Sequence, residues 1–255
     1  MSAVHLLIDG PVAELRLDNP AKLNALTPAM LDQILGHCDS LERERDVVAV
    51  LITSTGARAF CTGADIAAWA DLAPADFARH WVRAGHRVFD RLARLAKPTI
   101  AVLDGPAYGG GLELAAACDI RVMSPRAKIA LPETSIGIVP GWSGSQRLAR
   151  LLPEAVLKEM ALFGRVLDAD RALALGFVAE VADDPGAVAL DMAERLGATS
   201  PRATEVAKYM IHAAVGEDRD AMIEALGSGM AAATADKAEG VAAFRAKRKP
   251  DFTGR

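Results

Sequence analysis

Cysteine is scarce: Cys38, Cys61 and Cys118 are the only three in 255 residues. They are far apart, odd in number and form no CxxC pair, which argues against a disulfide framework or a cysteine-built zinc site and fits a reducing compartment. Positive charge is not in excess either. There are 29 Lys and Arg against 33 Asp and Glu, a net charge of -4, whereas a duplex-binding protein concentrates basic residues on one face. The one basic cluster, Lys247, Arg248 and Lys249, reads as a solvated tail. Long apolar runs are missing: none approaches the roughly 20 residues that span a bilayer. The opening MSAVHLLIDG lacks the basic region, long apolar stretch and cleavage site of a signal peptide. The expectation is a cytoplasmic protein with no nucleic-acid and no membrane partner.

Several motifs are lacking as well. Counted from Gly109, the dinucleotide pattern GxGxxG fails at Leu114, and no Lys-Ser/Thr pair follows the glycines to make a P-loop. GWSGS (141–145) lacks the last glycine of a GxSxG hydrolase elbow. His5, His37, His80, His86 and His212 have no metal-ligand spacing, so structural or surface roles are expected and no metal site.

What is present is ordinary globular material, 51% hydrophobic and 24% charged, long enough for one sizeable core with or without a helical appendage. Residues 4–8 and 12–17 read as strands joined at Asp9-Gly10, a hairpin signal. Over 28–43, Met30, Leu31, Ile34 and Leu35 share one side and Asp32 and Gln33 the other, which predicts a helix. The continuous apolar runs 47–53 and 99–104 predict strands buried on both faces, with a third strand at 120–124. Between them lie a glycine-punctuated loop (55–65), a helix over 75–96 closed by Lys97-Pro98, and a helix beginning in LELAAAC. Strand and helix alternate, which argues for α/β with crossovers. From about residue 145 helical patterns dominate, at 153–163, 168–175, 186–197, 201–214, 218–232 and 235–246. No solenoid-length repeat and no low-complexity segment interrupts the chain.

Gly109, Gly110 and Gly111 stand between a buried strand and a helix. Three consecutive glycines cost backbone entropy. They are either an ordinary tight turn or a place where something must approach the backbone, with the free N–H groups of a helix start aimed at an anion or a developing oxyanion. Glu113 sits in that helix's first turn among small and apolar neighbours. It either compensates the dipole or is a buried carboxyl with a raised pKa. Glu133, in ALPET twenty positions later, completes a candidate carboxylate pair able to divide acid and base work. Trp142 fits the core or the lining of a pocket.

AFCTGADI (59–66), KPTIAVLDGPAYGGGLELAAACDIRV (97–122) and ALPETSIGIVPGWSGSQRL (130–148), with the flanking stretches LDNPAKLNAL and AFRAKRKPDF, resemble the crotonase (enoyl-CoA hydratase/isomerase) family in order and spacing. The resemblance covers nearly the whole chain. It implies an α/β (α+β) fold, a spiral of ββα turns over 1–195 carrying the acyl-CoA site, then a helical region over 196–255 that builds a homotrimer or homohexamer. It implies hydration of 2-enoyl-CoA thioesters or the reverse dehydration, with coenzyme A as part of the substrate and no other cofactor. By motif, the backbone N–H groups of Ala64 and Gly110 hold the thioester oxygen, and Glu113 and Glu133 act on one water. Lys22, Leu23 and Ala25 lie along coenzyme A, Asp65 and Ile66 flank the same channel, Trp142 and residues around 67–82 shape the acyl pocket, and Phe244 and Lys247 match C-terminal positions that touch coenzyme A. The same resemblance leaves open a carnitinyl-CoA dehydratase-like enzyme, an enoyl-CoA isomerase, or an inactive acyl-CoA- or RNA-binding member.

Overall fold

The computed structural model describes residues 2–56, 58–217, 227 and 229–255. These fall into two compact units, Met1–Thr204 and Glu205–Arg255.

The first unit opens with the hairpin β1 (Ala3–Asp9) and β2 (Val12–Asp18). Asp9 pairs with Val12, leaving Gly10 and Pro11 as a two-residue loop with positive φ at Gly10, the position where such loops need glycine. Helix α1 (Pro28–Leu41) starts at Thr27, whose hydroxyl accepts from the Met30 N–H. Then come β3 (Ala49–Ser54), β4 (Thr99–Leu103) and β6 (Ile120–Met123), which with β9 (Glu180–Val181) extend a six-stranded sheet in the order β1-β2-β3-β4-β6-β9. Only the hairpin is antiparallel. The parallel strands need crossovers, and the intervening helices supply them.

The unbroken apolar runs behave as expected of strands covered on both sides. Val50, Ile52, Ala101 and Leu103 face the main core with Leu15, Phe60 and Phe89. Their neighbours Ala49, Leu51, Ile100 and Val102 face Ala189 and Ala193 of α8 (Pro185–Arg195). A second sheet joins β5 (Ala107–Tyr108), β7 (Lys128–Ala130) and β8 (Leu167–Asp168) in the order β5-β7-β8. β5, β7, β8 and β9 have no counterpart among the strands expected from sequence; two or three residues cannot display a period.

The helix expected over 75–96 is α2 (Pro74–Asp76), a π-helical stretch (Phe77–Val82) and α3 (Arg83–Ala93) in succession. After the short α4 (Gly110–Ala116) come α5 (Gly144–Leu151), α6 (Glu154–Phe163) and α7 (Ala169–Ala174). α5 is missing from the helices expected from sequence because GSQRLARL spans barely two turns and opens on glycine. Helix α9 (Pro201–Ala214) crosses the boundary between the units.

In the second unit α10 (Ala235–Ala246) is capped by Thr234. The chain then folds back along α10. Arg248 forks onto Glu239 at 2.6 and 2.8 Å, and the Thr253 and Gly254 N–H groups donate to Asp236. Arg248 of the basic cluster is therefore exposed but ion-paired. The helix expected over 218–232 lies for the most part outside the described residues.

Candidate active site

Two loops are zipped together beneath the glycine run. The Leu26 N–H donates to the Gly63 carbonyl and the Asp65 N–H to the Leu26 carbonyl, each at 2.8 Å, while the Tyr108 N–H reaches the Cys61 carbonyl at 2.9 Å. Gly111 is dictated by this approach: a Cβ there would lie 2.1 Å from the Cys61 oxygen. The contact brings the loop 61–65 against the start of α4, so that a Cβ on Gly110 would lie 3.5 Å from the Ala64 nitrogen. Among the described residues, neither the Ala64 nor the Gly110 N–H has an acceptor. Gly110 is the first residue of α4, where N–H groups are left unsatisfied by the helix itself. Both residues line a cavity of about 110 Å³.

Glu113 and Glu133 line the same cavity, 3% and 7% exposed. Glu113 lies on α4, and its Oε1 accepts from the Trp142 and Gly144 N–H groups, both at 2.8 Å. Burial raises its pKa, against these backbone donors and the Arg147 charge. Gly144 is needed here because a Cβ would meet Glu113 Oε1 at 2.5 Å. Glu133 opens a single 3₁₀ turn after β7 (Glu133–Ile136). Its two carboxylate oxygens are buried without a hydrogen-bond partner among the described residues. Burial first, and the Glu113 charge in addition, push its pKa up to about 7. Two carboxyls with raised pKa values in one largely apolar pocket are suited to taking and giving protons.

The raised Glu133 pKa has a consequence for stability. The folded state holds the proton up to about pH 7, while an unfolded chain releases it near 4.5, so stability falls as pH rises through that window. Glu133→Gln, which imitates the protonated acid, is expected to raise Tm relative to the parent at pH 8 and to leave it nearly unchanged at pH 5. Thermal unfolding at the two pH values checks this; an equal shift at both contradicts it.

Most of the rest of the wall is apolar: Ile66, Trp69, Phe77, Trp81, Val82 and Trp142 contribute to it. Trp142 is nonetheless 3% exposed and packs against Trp81 and Phe89 at centroid distances of 5.1 and 5.4 Å. It is a core residue that presents one edge to the cavity.

The family model for enoyl-CoA hydratase/isomerase matches residues 8–255. The chain belongs to this family. It is 34% identical to the probable mitochondrial enoyl-CoA hydratase 2 of Arabidopsis thaliana, over 96% of this chain and 83% of that protein. It is 33% identical to the short-chain-enoyl-CoA hydratase of Clostridium acetobutylicum, over 98% and 97%. The crystal structure of an enoyl-CoA hydratase from Bacillus anthracis superposes with a TM-score of 0.81 at 30% identity, covering 99% of each chain.

The remaining positions singled out by family resemblance fall in two places. Lys22, Leu23 and Ala25 belong to the loop zipped onto 61–65, and the Lys22 ammonium pairs with Asp65 at 2.7 Å. Leu23 and Asn24 are left-handed, with φ of 53 and 57°. Such strain in non-glycine residues persists only where the surroundings enforce it; the buried Asn24 side chain does so through the Asn19 N–H and the Thr55 and Ala59 carbonyls. Ile66 is half exposed beside Asp65. Phe244 and Lys247 lie on the second unit, Phe244 86% exposed and Lys247 left-handed at the end of α10. Two features of this enoyl-CoA hydratase/isomerase family member were not anticipated. One is the amide clasp of 142 and 144 on Glu113. The other is Asn24, whose only sequence signal is its place within LNAL.

Proposed function

We propose that the protein adds water across the double bond of a 2-enoyl-CoA thioester, giving 3-hydroxyacyl-CoA, and catalyses the reverse dehydration. The observation that carries this reading is the shared cavity: two acceptor-free amides and two buried carboxylates converge on it. The thioester oxygen accepts from the Ala64 and Gly110 N–H groups, so that enolate charge developing on it is stabilised, each such donor contributing about 3 kcal/mol in comparable sites. Water sits between Glu113 and Glu133. Glu113, its carboxylate held by two amides, takes a proton as the water oxygen bonds Cβ. Glu133, raised to about 7, gives a proton to Cα as the enolate collapses, and the proton taken by Glu113 passes to Glu133 through the next water bound between them, restoring the starting state. The two carboxyls exchange roles in dehydration. Amides and carboxyls supply the whole reaction, and coenzyme A is the only cofactor moiety, carried by the substrate.

Lys22, Leu23, Ala25, Asp65 and Ile66 are proposed to border the coenzyme A channel and Trp142 to close the acyl pocket; for Phe244 and Lys247 a coenzyme A contact is proposed on the family resemblance alone. A cytoplasmic location is proposed, supported by three buried cysteine thiols. No helix among the described residues is long and apolar enough to cross a membrane.

The test is a panel of enoyl-CoA and 3-hydroxyacyl-CoA thioesters incubated with purified protein, followed by mass spectrometry. Gain of one water by an enoyl-CoA is expected. Migration of the double bond without a mass change, or no turnover on any member, overturns the reading.

Assembly as a trimer or hexamer is part of the same proposal. Its support is the exposure of Met210 and Ile211 on α9 and of Phe244 on α10, large apolar side chains that a subunit interface would cover. Light scattering at micromolar concentration is expected to give a trimer or a multiple of it; a stable monomer contradicts the proposal.

A further inference from the structure

We propose that Ser143 and His86 are positioning residues for Glu113, clamping the turn whose amides hold its carboxylate. The proposal rests on the assignment of Glu113 to proton transfer. Ser143 lies between the two residues, Trp142 and Gly144, whose N–H groups meet at Glu113 Oε1. To aim both at one oxygen the backbone turns left-handed at Ser143, with φ of 76°. A serine there is strained where a glycine would not be, so the side chain must have a reason to be present. The structure supplies it: the hydroxyl is 3.2 Å from His86 Nδ1 and 3.1 Å from Nε2, across 57 positions of sequence.

The clamp continues on both sides. His86 Nε2 is 3.8 Å from the Asp90 carboxylate one helical turn along α3. Asp90 accepts from the buried Arg147 guanidinium at 2.6 Å. The Arg147 N–H donates to the Ser143 carbonyl at 2.9 Å, closing a ring from α3 through the turn to α5. Arg147 also acts on Glu113 through its charge. The other histidines support the structural or surface reading: His37 bonds the Val4 carbonyl and His80 is exposed on its helix. His86 ties its element to the segment gripping a cavity carboxylate. A nucleophilic role for Ser143 fails on geometry: the residue is 5% exposed and does not line the cavity.

The test is steady-state hydration of crotonyl-CoA with Ser143→Gly, His86→Ala, His86→Asn, the Ser143→Gly/His86→Ala pair and Glu113→Gln as reference. Ser143→Gly relieves the left-handed strain, so its Tm is expected to hold or rise while kcat falls about tenfold, as a small misplacement of a reacting group does. KM stays within about twofold, since the change affects only the chemical step. His86→Ala behaves like Ser143→Gly, the pair is no worse than the worse single, and His86→Asn, which keeps a polar group within reach of the hydroxyl, recovers most of the loss. Wild-type kcat in Ser143→Gly beside an impaired Glu113→Gln overturns the positioning role alone. A loss seen in KM and not in kcat does the same. Full activity in Glu113→Gln overturns the carboxylate assignment and this proposal with it.

Discussion

Glu113→Gln and Glu133→Gln are each expected to slow hydration of crotonyl-CoA by at least the roughly 100-fold that loss of a positioned acid or base costs. Both substitutions keep size and some hydrogen bonding and remove the capacity for proton transfer, together with the carboxylate charge. If the two carboxyls act on one water, as proposed, the double variant is expected to be little worse than the worse single. Binding of the thioester is expected to be retained, since the loops proposed to border coenzyme A lie elsewhere on the chain. The pH dependence separates the two roles. With Glu133 as the acid and its pKa near 7, kcat/KM of the parent falls as pH rises above that value, because the protonated fraction falls. In Glu133→Gln that limb is expected to vanish from the residual activity. Near-wild-type hydration in either single variant refutes the paired mechanism. An isomerase, which moves one proton between carbons, would leave one of the two substitutions almost silent.

Gly110→Pro is expected to have an effect of similar size by a different route. It deletes the N–H proposed to hold the thioester oxygen. Proline is well tolerated at the first position of a helix, and Gly110 occupies that position in α4. The added ring also touches Trp142, whose Cε3 and Cζ3 lie 3.0 Å from an ideal Cβ on Gly110. Gly110→Ala is the control, since it brings the same Cβ contact and keeps the N–H. The proline variant is expected to lose about 10²- to 10³-fold in kcat beyond the alanine variant, with circular dichroism showing both folded. Equal activity in the two variants removes Gly110 from the oxyanion site.

The sequence was most legible where the pattern was long. Alternating burial from Ala13 to Asp18 in β2, fourteen residues of helical spacing in α1 and five buried in succession in β4 each repeat their signal often enough to be read. It was least legible where an element is a product of its surroundings. β5, β8 and β9 have two residues each and exist only through strand pairing. The π-helical turn at Phe77–Val82 is helical in pattern, so only its hydrogen bonding distinguishes it. Trp142 gave no sign of whether it faces core or cavity, and it does both.

The sequence by itself determined the succession of strands and helices, the burial of β3 and β4 on both faces, and membership of a family through motifs whose order and spacing survive in a single chain. It named Glu113 and Glu133 but could not place them together, because twenty positions of spacing say nothing about distance in space. Tertiary structure decided that. The parallel pairing of β5 with β7, Ala107 to Ile129 and Tyr108 to Ala130, sets the start of α4 beside the turn carrying Glu133. Close approach of the Cys61 carbonyl to Gly111 then brings the Ala64 amide to the same cavity. The protonation behaviour of the two acids is likewise tertiary in origin. It follows from the removal of water around each carboxyl and from the charge of its neighbour, and both depend on which parts of the chain fold against it.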